Sequence, residues 1–437
     1  VYRTKIYRML SMINIKNDFS LLNKGFSNAL SLDAFPRHRW YFVKEGFSPK
    51  IVEEAIKSDG ISKSEVIIDP FSGSGTVPLT GALCGLQAQG FEINPFLRFV
   101  SSTKLKQVNP EEFLNTSNEF ASTINTEVPS PLEGISTFAK GNVRNRWLFP
   151  KSVLRCFESG RIALNKVNTE LRDLLYLALI GAAMDCCNAT RDGKCLRYKK
   201  NWRDIEADES HFRKKFKTRI DIIATDLLLE PLDNHDALIK EGDARRLISS
   251  TSDDKFRICV TSPPYLNSFD YSDIYRPELF LGGFVDSNKS LMKIRKNTIR
   301  SHLQANWDKP IKDNFGILYK DCIVRISNNS SDLWDKRIPI MIQAYFEDMQ
   351  TVLRGLRLRA QDNASVWLIV STSAYAGIEI PVDLILAEIS QRTGWYLREI
   401  GVLRYLRSSS QHYKREESKQ VPLRESVVIL DATKKLS

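Results

Sequence analysis

The chain has 437 residues, 42% of them hydrophobic and 10% aromatic, enough for two or three domain-sized units, or one core with large insertions, and against wholesale disorder. A net charge of +11 and a pI near 9.2 favour a polyanionic partner. The seven cysteines are odd in number and form no Cys-x-x-Cys pair, against a disulfide framework or a zinc site and in keeping with a reducing cytoplasm, and no apolar run approaches the roughly 20 residues of a membrane span.

Residues 1–37 read as an extension of mixed composition with weak helical periodicity. The run His38-Arg39-Trp40-Tyr41-Phe42-Val43-Lys44-Glu45-Gly46-Phe47-Ser48-Pro49 then leads into a helix. Ser48 is placed as its N-cap and Pro49 at its first position, with Ile51, Val52, Ala55 and Ile56 as the apolar face. Next, Val66-Ile67-Ile68-Asp69 reads as a buried strand, Pro70-Phe71-Ser72-Gly73-Ser74-Gly75-Thr76 as a glycine loop, and 77–86 as a helix, the first half of a βαβ unit. Gly73 and Gly75 permit backbone to approach a ligand where a Cβ would collide. A second strand over 88–91 ends in Glu92-Ile93-Asn94-Pro95; Glu92 lies 17 residues beyond Gly75, where an acidic side chain can accept from both hydroxyls of a ribose. Pro78 stands where a dinucleotide fingerprint has its third glycine.

Strand–helix alternation stops over 109–240, which reads as an all-helical insertion. It holds helices over 154–163, 171–187 and 211–229 and a basic run over 191–203, with Tyr198 and Trp202 among Lys194, Arg197, Lys199 and Lys200. Its charges are either a solvated helix face or phosphate contacts, and the insertion is a candidate for target recognition. The core resumes at Glu241-Gly242-Asp243-Ala244, and the strand Phe256-Arg257-Ile258-Cys259-Val260 runs into Thr261-Ser262-Pro263-Pro264-Tyr265.

The two prolines must end that strand, and they hold the carbonyls of Ser262 and Pro263 in set directions. Two fixed acceptors beside an aromatic face suit a planar heterocycle carrying an exocyclic NH2. Residues 267–275, polar and aromatic, are expected to line that pocket or close over it. A second insertion, 286–337, reads as a mobile lid or DNA-facing loop. A helix over 338–358, a strand over 365–370, a helix over 381–392 and strands over 395–405 and 425–431 complete the chain. A loop over 407–424, with Gln411, His412 and Tyr413, separates the last two strands.

Taken together, these segments resemble motifs X, I, II, III and IV, in that order, of the S-adenosyl-L-methionine (AdoMet)-dependent DNA amino-methyltransferases, which methylate the exocyclic nitrogen of cytosine or adenine. The serine version of motif IV looks most like enzymes acting on cytosine N4; adenine-N6 enzymes more often carry Asp or Asn there. The resemblance implies an α/β, Rossmann-like fold with a mostly parallel seven-stranded sheet and an antiparallel edge hairpin. Residues 38–108 would form its cofactor half, and 241–285 with 338–437 its catalytic half. It implies AdoMet held by Lys44, Phe47 and Ser48 of motif X, by Asp69, Pro70, Phe71, Ser72, Gly73, Gly75 and Thr76 of motif I, and by Glu92 and Asn94 of motif II. Asp243 and Ala244 of motif III would complete that site, the acidic residue accepting from the adenine amino group. Ser262, Pro263, Pro264 and Tyr265 would then be catalytic, with no metal. The implied partner is double-stranded DNA at the cytoplasmic nucleoid, with a restriction endonuclease or another defence component alongside. An adenine-N6 enzyme, an RNA amine methyltransferase and a non-catalytic AdoMet- or DNA-binding subunit are the rival readings. A C5-cytosine enzyme is excluded, because it needs a Pro-Cys nucleophile and no cysteine here follows a proline.

Overall fold

The computed structural model describes residues 15–16, 29–135, 137–139, 146–192, 195–204, 207–232, 235–246, 255–406 and 423–433. The helical periodicity expected before residue 29, Lys194, and the loop over 407–422 with Gln411, His412 and Tyr413 lie outside these residues.

Alternation within buried strands builds the central sheet. Its strands are β1 (Ile15–Lys16), β2 (Val66–Asp69), β3 (Gln87–Glu92), β4 (Ala237–Glu241), β5 (Phe256–Thr261), β6 (Ala360–Ser371), β7 (Tyr396–Leu406) and β8 (Leu423–Asp431). They lie in the order β1-β7-β8-β6-β5-β2-β3-β4, and only β8 runs against its neighbours. Ile67, Ile258, Val260, Trp367, Ile369 and Val427 pack on one face; Ile68, Cys259, Val366, Leu368 and Val428 pack on the other. Both faces are therefore covered, as a mostly parallel sheet requires. The architecture is α/β and Rossmann-like. Seven strands form the expected sheet and antiparallel edge pair, and the two-residue β1 pairs parallel to β7 as an eighth.

Helix α1 (Pro49–Asp59) covers the first face: the Ser48 hydroxyl accepts from Lys50 N, Pro49 opens the helix, and Gly60 ends it in a left-handed conformation. Helices α2 (Thr76–Leu83) and α3 (Pro95–Lys104) follow β2 and β3. The insertion supplies α4 (Pro110–Thr123), α5 (Lys151–Ala163), α6 (Thr169–Asp185) and α7 (Glu209–Leu229). Helices α8 (Ile338–Arg359) and α9 (Val382–Arg392) cover the opposite face of the sheet.

Three expectations need correction. The insertion is not all-helical, because Ala189–Asp192 and Cys195–Tyr198 form an antiparallel hairpin within the basic run. Its boundary also moves: β4, inside the span expected to be insertion, pairs with β3 as the sheet's edge strand. The strand is short and half polar, with Leu238 exposed, so it carries little periodic signal. Finally, residues 286–337, expected as a mobile lid or DNA-facing loop, include helices packed into the core. Helix Ile317–Asn328 buries Leu318, Tyr319, Cys322 and Ile326 in the core shared by α8 and α9, and the Arg300 guanidinium is held by Glu347 and Asp348.

The insertion is welded to the cofactor half. Phe96 of α3, Tyr275 and Leu279 share one apolar core with Phe138, Phe149, Leu174 and Phe216. The fully buried Asp226 carboxylate of α7 accepts from the backbone of Arg37, the guanidinium of Arg39 and the indole of Trp40.

Candidate active site

From β2 the chain winds outward through β3 to β4, then returns to the other side of β2 to lay down β5 and, beyond it, β6. The sheet's switch point therefore falls between β2 and β5, whose register pairs Ile67 with Ile258 and Ile68 with Cys259. Loops leaving the carboxyl ends of two such strands diverge and open a crevice. Here they are the glycine loop and the Ser-Pro-Pro-Tyr turn, and both line one cavity of about 370 Å³.

Fifteen of the expected residues reach its wall: Lys44, Phe47, Pro70, Phe71, Ser72, Gly73, Thr76, Glu92, Asn94, Asp243, Ala244, Ser262, Pro263, Pro264 and Tyr265. Gly73 takes φ 51°, and a Cβ built there would meet nothing nearer than the Phe71 carbonyl oxygen at 3.9 Å. Its N–H donates to Glu92 Oε2 at 2.7 Å, while Glu92 Oε1 accepts from Asn94 N at 2.8 Å. Burial lifts the Glu92 carboxyl to about 7 against these bonds, which pull it down. The Asn94 side-chain oxygen caps α3, accepting from Phe96 N at 3.0 Å.

Ser48, Asp69 and Gly75 stand off the wall and act from behind it. Ser48 is the cap of α1. Asp69 Oδ1 accepts from Phe71 N at 2.9 Å and from the Thr261 hydroxyl at 2.6 Å, and burial raises its carboxyl to about 7. Gly75, at φ 85°, is needed for packing: a Cβ there would lie 2.3 Å from Ser101 Oγ. Asp243 does reach the cavity, but both its oxygens lie in the guanidinium fork of Arg245 at 2.7–3.1 Å, and Oδ1 also accepts from Arg245 N. Arg245 thus holds the Asp243 carboxylate in place at the cavity wall.

Several wall residues carry no local sequence signal. The Tyr265 hydroxyl accepts from Ser262 Oγ at 3.5 Å and donates to Glu425 Oε1 at 2.7 Å, and the Arg404 Nε donates to Glu425 Oε2 at 2.8 Å. Arg404 and Glu425 come from β7 and β8, far along the chain. Burial, with Glu425 alongside, pushes the Tyr265 phenol well above its ordinary range, so it stays protonated. Tyr275 donates to Glu45 Oε2 at 2.6 Å and lies under the Arg191 guanidinium at 4.6 Å, joining the insertion's hairpin to the cavity wall. Asn267, Phe269, Tyr271 and Ser272 line the cavity from the expected 267–275 segment. His302, held neutral chiefly by burial, lines it from the second insertion.

The donor set fits the ribose and adenine of AdoMet. Glu92 keeps acceptor positions beside an open backbone cradle at Gly73, next to the apolar walls of Phe71, Phe91 and Ile93. Among the described residues, no cluster of three or more His, Cys, Asp or Glu could hold a metal ion, and no helix is long and apolar enough to cross a membrane.

No protein-family model matches the chain. It is 23% identical over 398 residues to the Type II methyltransferase M.AvaI of Nostoc sp., spanning 84% of this chain and 81% of that one. It is 24% identical over 443 residues to the Type II methyltransferase M.BsoBI of Geobacillus stearothermophilus, spanning 90% and 85%. Among solved structures, the rRNA methyltransferase aviRa from Streptomyces viridochromogenes aligns with 91% of this chain and 85% of its own at 9% identity and a TM-score of 0.32.

Proposed function

We propose that this chain transfers a methyl group from AdoMet to the exocyclic amine of a base extruded from duplex DNA, at a defined site, with cytosine N4 as the target. One observation carries the reading: a Ser-Pro-Pro-Tyr turn and a glycine loop with its ribose-competent carboxylate, separated by nearly 190 residues, line one cavity. The two Type II methyltransferases, similar over most of the chain's length, support the same class. A restriction endonuclease or another defence component is the partner such an enzyme would have.

In this reading AdoMet supplies an electrophilic methyl whose sulfonium leaves as a neutral thioether. The protein's task is to position and sharpen the amine. The lone pair of an aromatic amine is conjugated into its ring, so the nitrogen is a poor nucleophile. Accepting its hydrogens on the Ser262 hydroxyl and the Pro263 carbonyl favours a pyramidal nitrogen with its lone pair directed at the methyl. The Tyr265 ring stacks on the base and offsets part of the few kcal/mol that extrusion costs. Glu92 accepts from the ribose, and Asp69 keeps the loop in shape from behind.

The decisive experiment incubates the purified chain with AdoMet and duplex DNA, digests the product to nucleosides and identifies the methylated base by mass spectrometry. N4-methylcytosine is expected. N6-methyladenine would transfer the mechanism to the other base, methylated RNA in a parallel arm would overturn the substrate assignment, and no methylation in either arm would overturn the reading.

A further inference from the structure

The amine gives up a proton when it gains a methyl, and the cavity wall contains a path that fits its departure. Ser262 Oγ donates to the Tyr265 hydroxyl, which donates to Glu425 Oε1. Both bonds run in one direction, from Ser262 through Tyr265 to Glu425, and leave the lone pairs of Ser262 Oγ free to accept. The first link, 3.5 Å, is long, as catalytic hydrogen bonds often are before substrate closes them; the second, 2.7 Å, is well formed. Arg404 holds the far end, with Nε 2.8 Å from Oε2 and Nη2 3.3 Å from Oε1 of Glu425. The Arg404 side chain is 43% exposed, so the terminus of this chain borders solvent while the Glu425 side chain, at 4%, does not.

We propose that the Ser262 hydroxyl, the Tyr265 hydroxyl and the Glu425 carboxylate form a proton relay that carries the proton released by the target amine to Glu425. The inference rests on the functional reading above. As the nitrogen–methyl bond forms and the sulfur–methyl bond breaks, the amine proton passes to Ser262 Oγ, the Ser262 proton to Tyr265 and the Tyr265 proton to Glu425. A sulfonium cation and a carboxylate anion thereby become a neutral thioether and a neutral carboxylic acid, so no net charge is created in the cavity. Glu425 then returns its proton to solvent along the Arg404 side. Tyr265 thus serves in two ways, as the plate under the base and as the middle of the relay, and the rotameric freedom of its ring is limited by the same hydroxyl bond.

Two conservative variants separate these uses. Tyr265→Phe keeps the ring and removes the hydroxyl; Glu425→Gln keeps the shape and cannot take up a proton. Single-turnover methyl transfer to duplex DNA is expected to slow about a hundredfold in each, the low end of what a positioned acid or base contributes. The double variant is expected to be no slower than the slower single one, because both interrupt one chain. AdoMet affinity by calorimetry and extrusion of a 2-aminopurine target by fluorescence, each measured without turnover, are expected to stay within twofold of wild type. The wild-type rate should also fall in D2O, and Glu425→Gln should lose that fall. Full-rate transfer by Glu425→Gln, multiplicative effects in the double variant, or an unchanged solvent isotope effect would overturn the relay while leaving the functional reading intact. A wild-type chain that methylates no nucleic acid would overturn both.

Discussion

The Thr261 hydroxyl donates to Asp69 Oδ1 at 2.6 Å, joining the last residue of β5 to the last residue of β2. The two loops that form the cavity therefore leave from a single buried hydrogen bond. Thr261→Val keeps the volume and removes the donor, while the Phe71 N–H still donates to Asp69 Oδ1. A loss of about 1–3 kcal/mol of stability is expected, read as a lower midpoint in urea unfolding with an unchanged slope.

Gly73 and Gly75 should respond differently although they stand two residues apart. Gly73→Val places a β-branched side chain at φ 51° on the cavity wall, and AdoMet binding measured by calorimetry is expected to vanish from a folded protein. Gly75→Ala drives a Cβ into Ser101 at φ 85°, so its first effect is on the melting temperature, which should fall by several degrees. Tight AdoMet binding by Gly73→Val would refute the cradle.

The Glu92 carboxyl is raised to about 7 by burial, so folding takes up a proton there between about pH 4.5 and 7. Stability from this group is present below its ordinary value and declines as pH rises through 7, and Glu92→Gln should be more stable than wild type at pH 8. Ligand binding should run the opposite way, since the ionised carboxylate is the form that accepts from both ribose hydroxyls. AdoMet affinity is expected to weaken about tenfold from pH 8 to pH 6, and Glu92→Gln to bind weakly with a flat profile.

Helix Asn288–Lys296 carries Lys289, Lys293, Arg295 and Lys296 and no acidic residue. Lys289, Lys293 and Lys296 are exposed on one face at helical spacing, Ile294 lines the cavity from the opposite side, and Arg295 is tied to Asp270. If this face tracks DNA phosphates, replacing the three lysines with alanine should weaken duplex binding uniformly across sequences. It should also reduce the slope of log affinity against log salt by about 2–3, measured by anisotropy titrations.

What the sequence made legible was local. Ser48-Pro49, the glycine loop, Glu92 and the Ser-Pro-Pro-Tyr turn announce themselves because each is a short segment whose backbone chemistry is written in adjacent residues. The alternating apolar strands then fix where the turns converge. Glu425 and Arg404 were not legible, because each reaches the cavity through long-range strand pairing and stands in a stretch of ordinary composition. The Arg245 guanidinium that grips Asp243 at the wall, two residues on, had no such local signal. Within the basic run, Arg191 is not a solvated charge but is mostly buried against Glu278 and Tyr275.

Asp226 limits how far this protein can be rebuilt by exchange of parts. A single α7 carboxylate receives Arg37, Arg39 and Trp40 from the segment that leads into the cofactor wall, so a chimera bringing in a foreign insertion would strand three donors unless it imported an equivalent acid. Changes confined to outward-facing side chains of the insertion would leave these buried bonds intact.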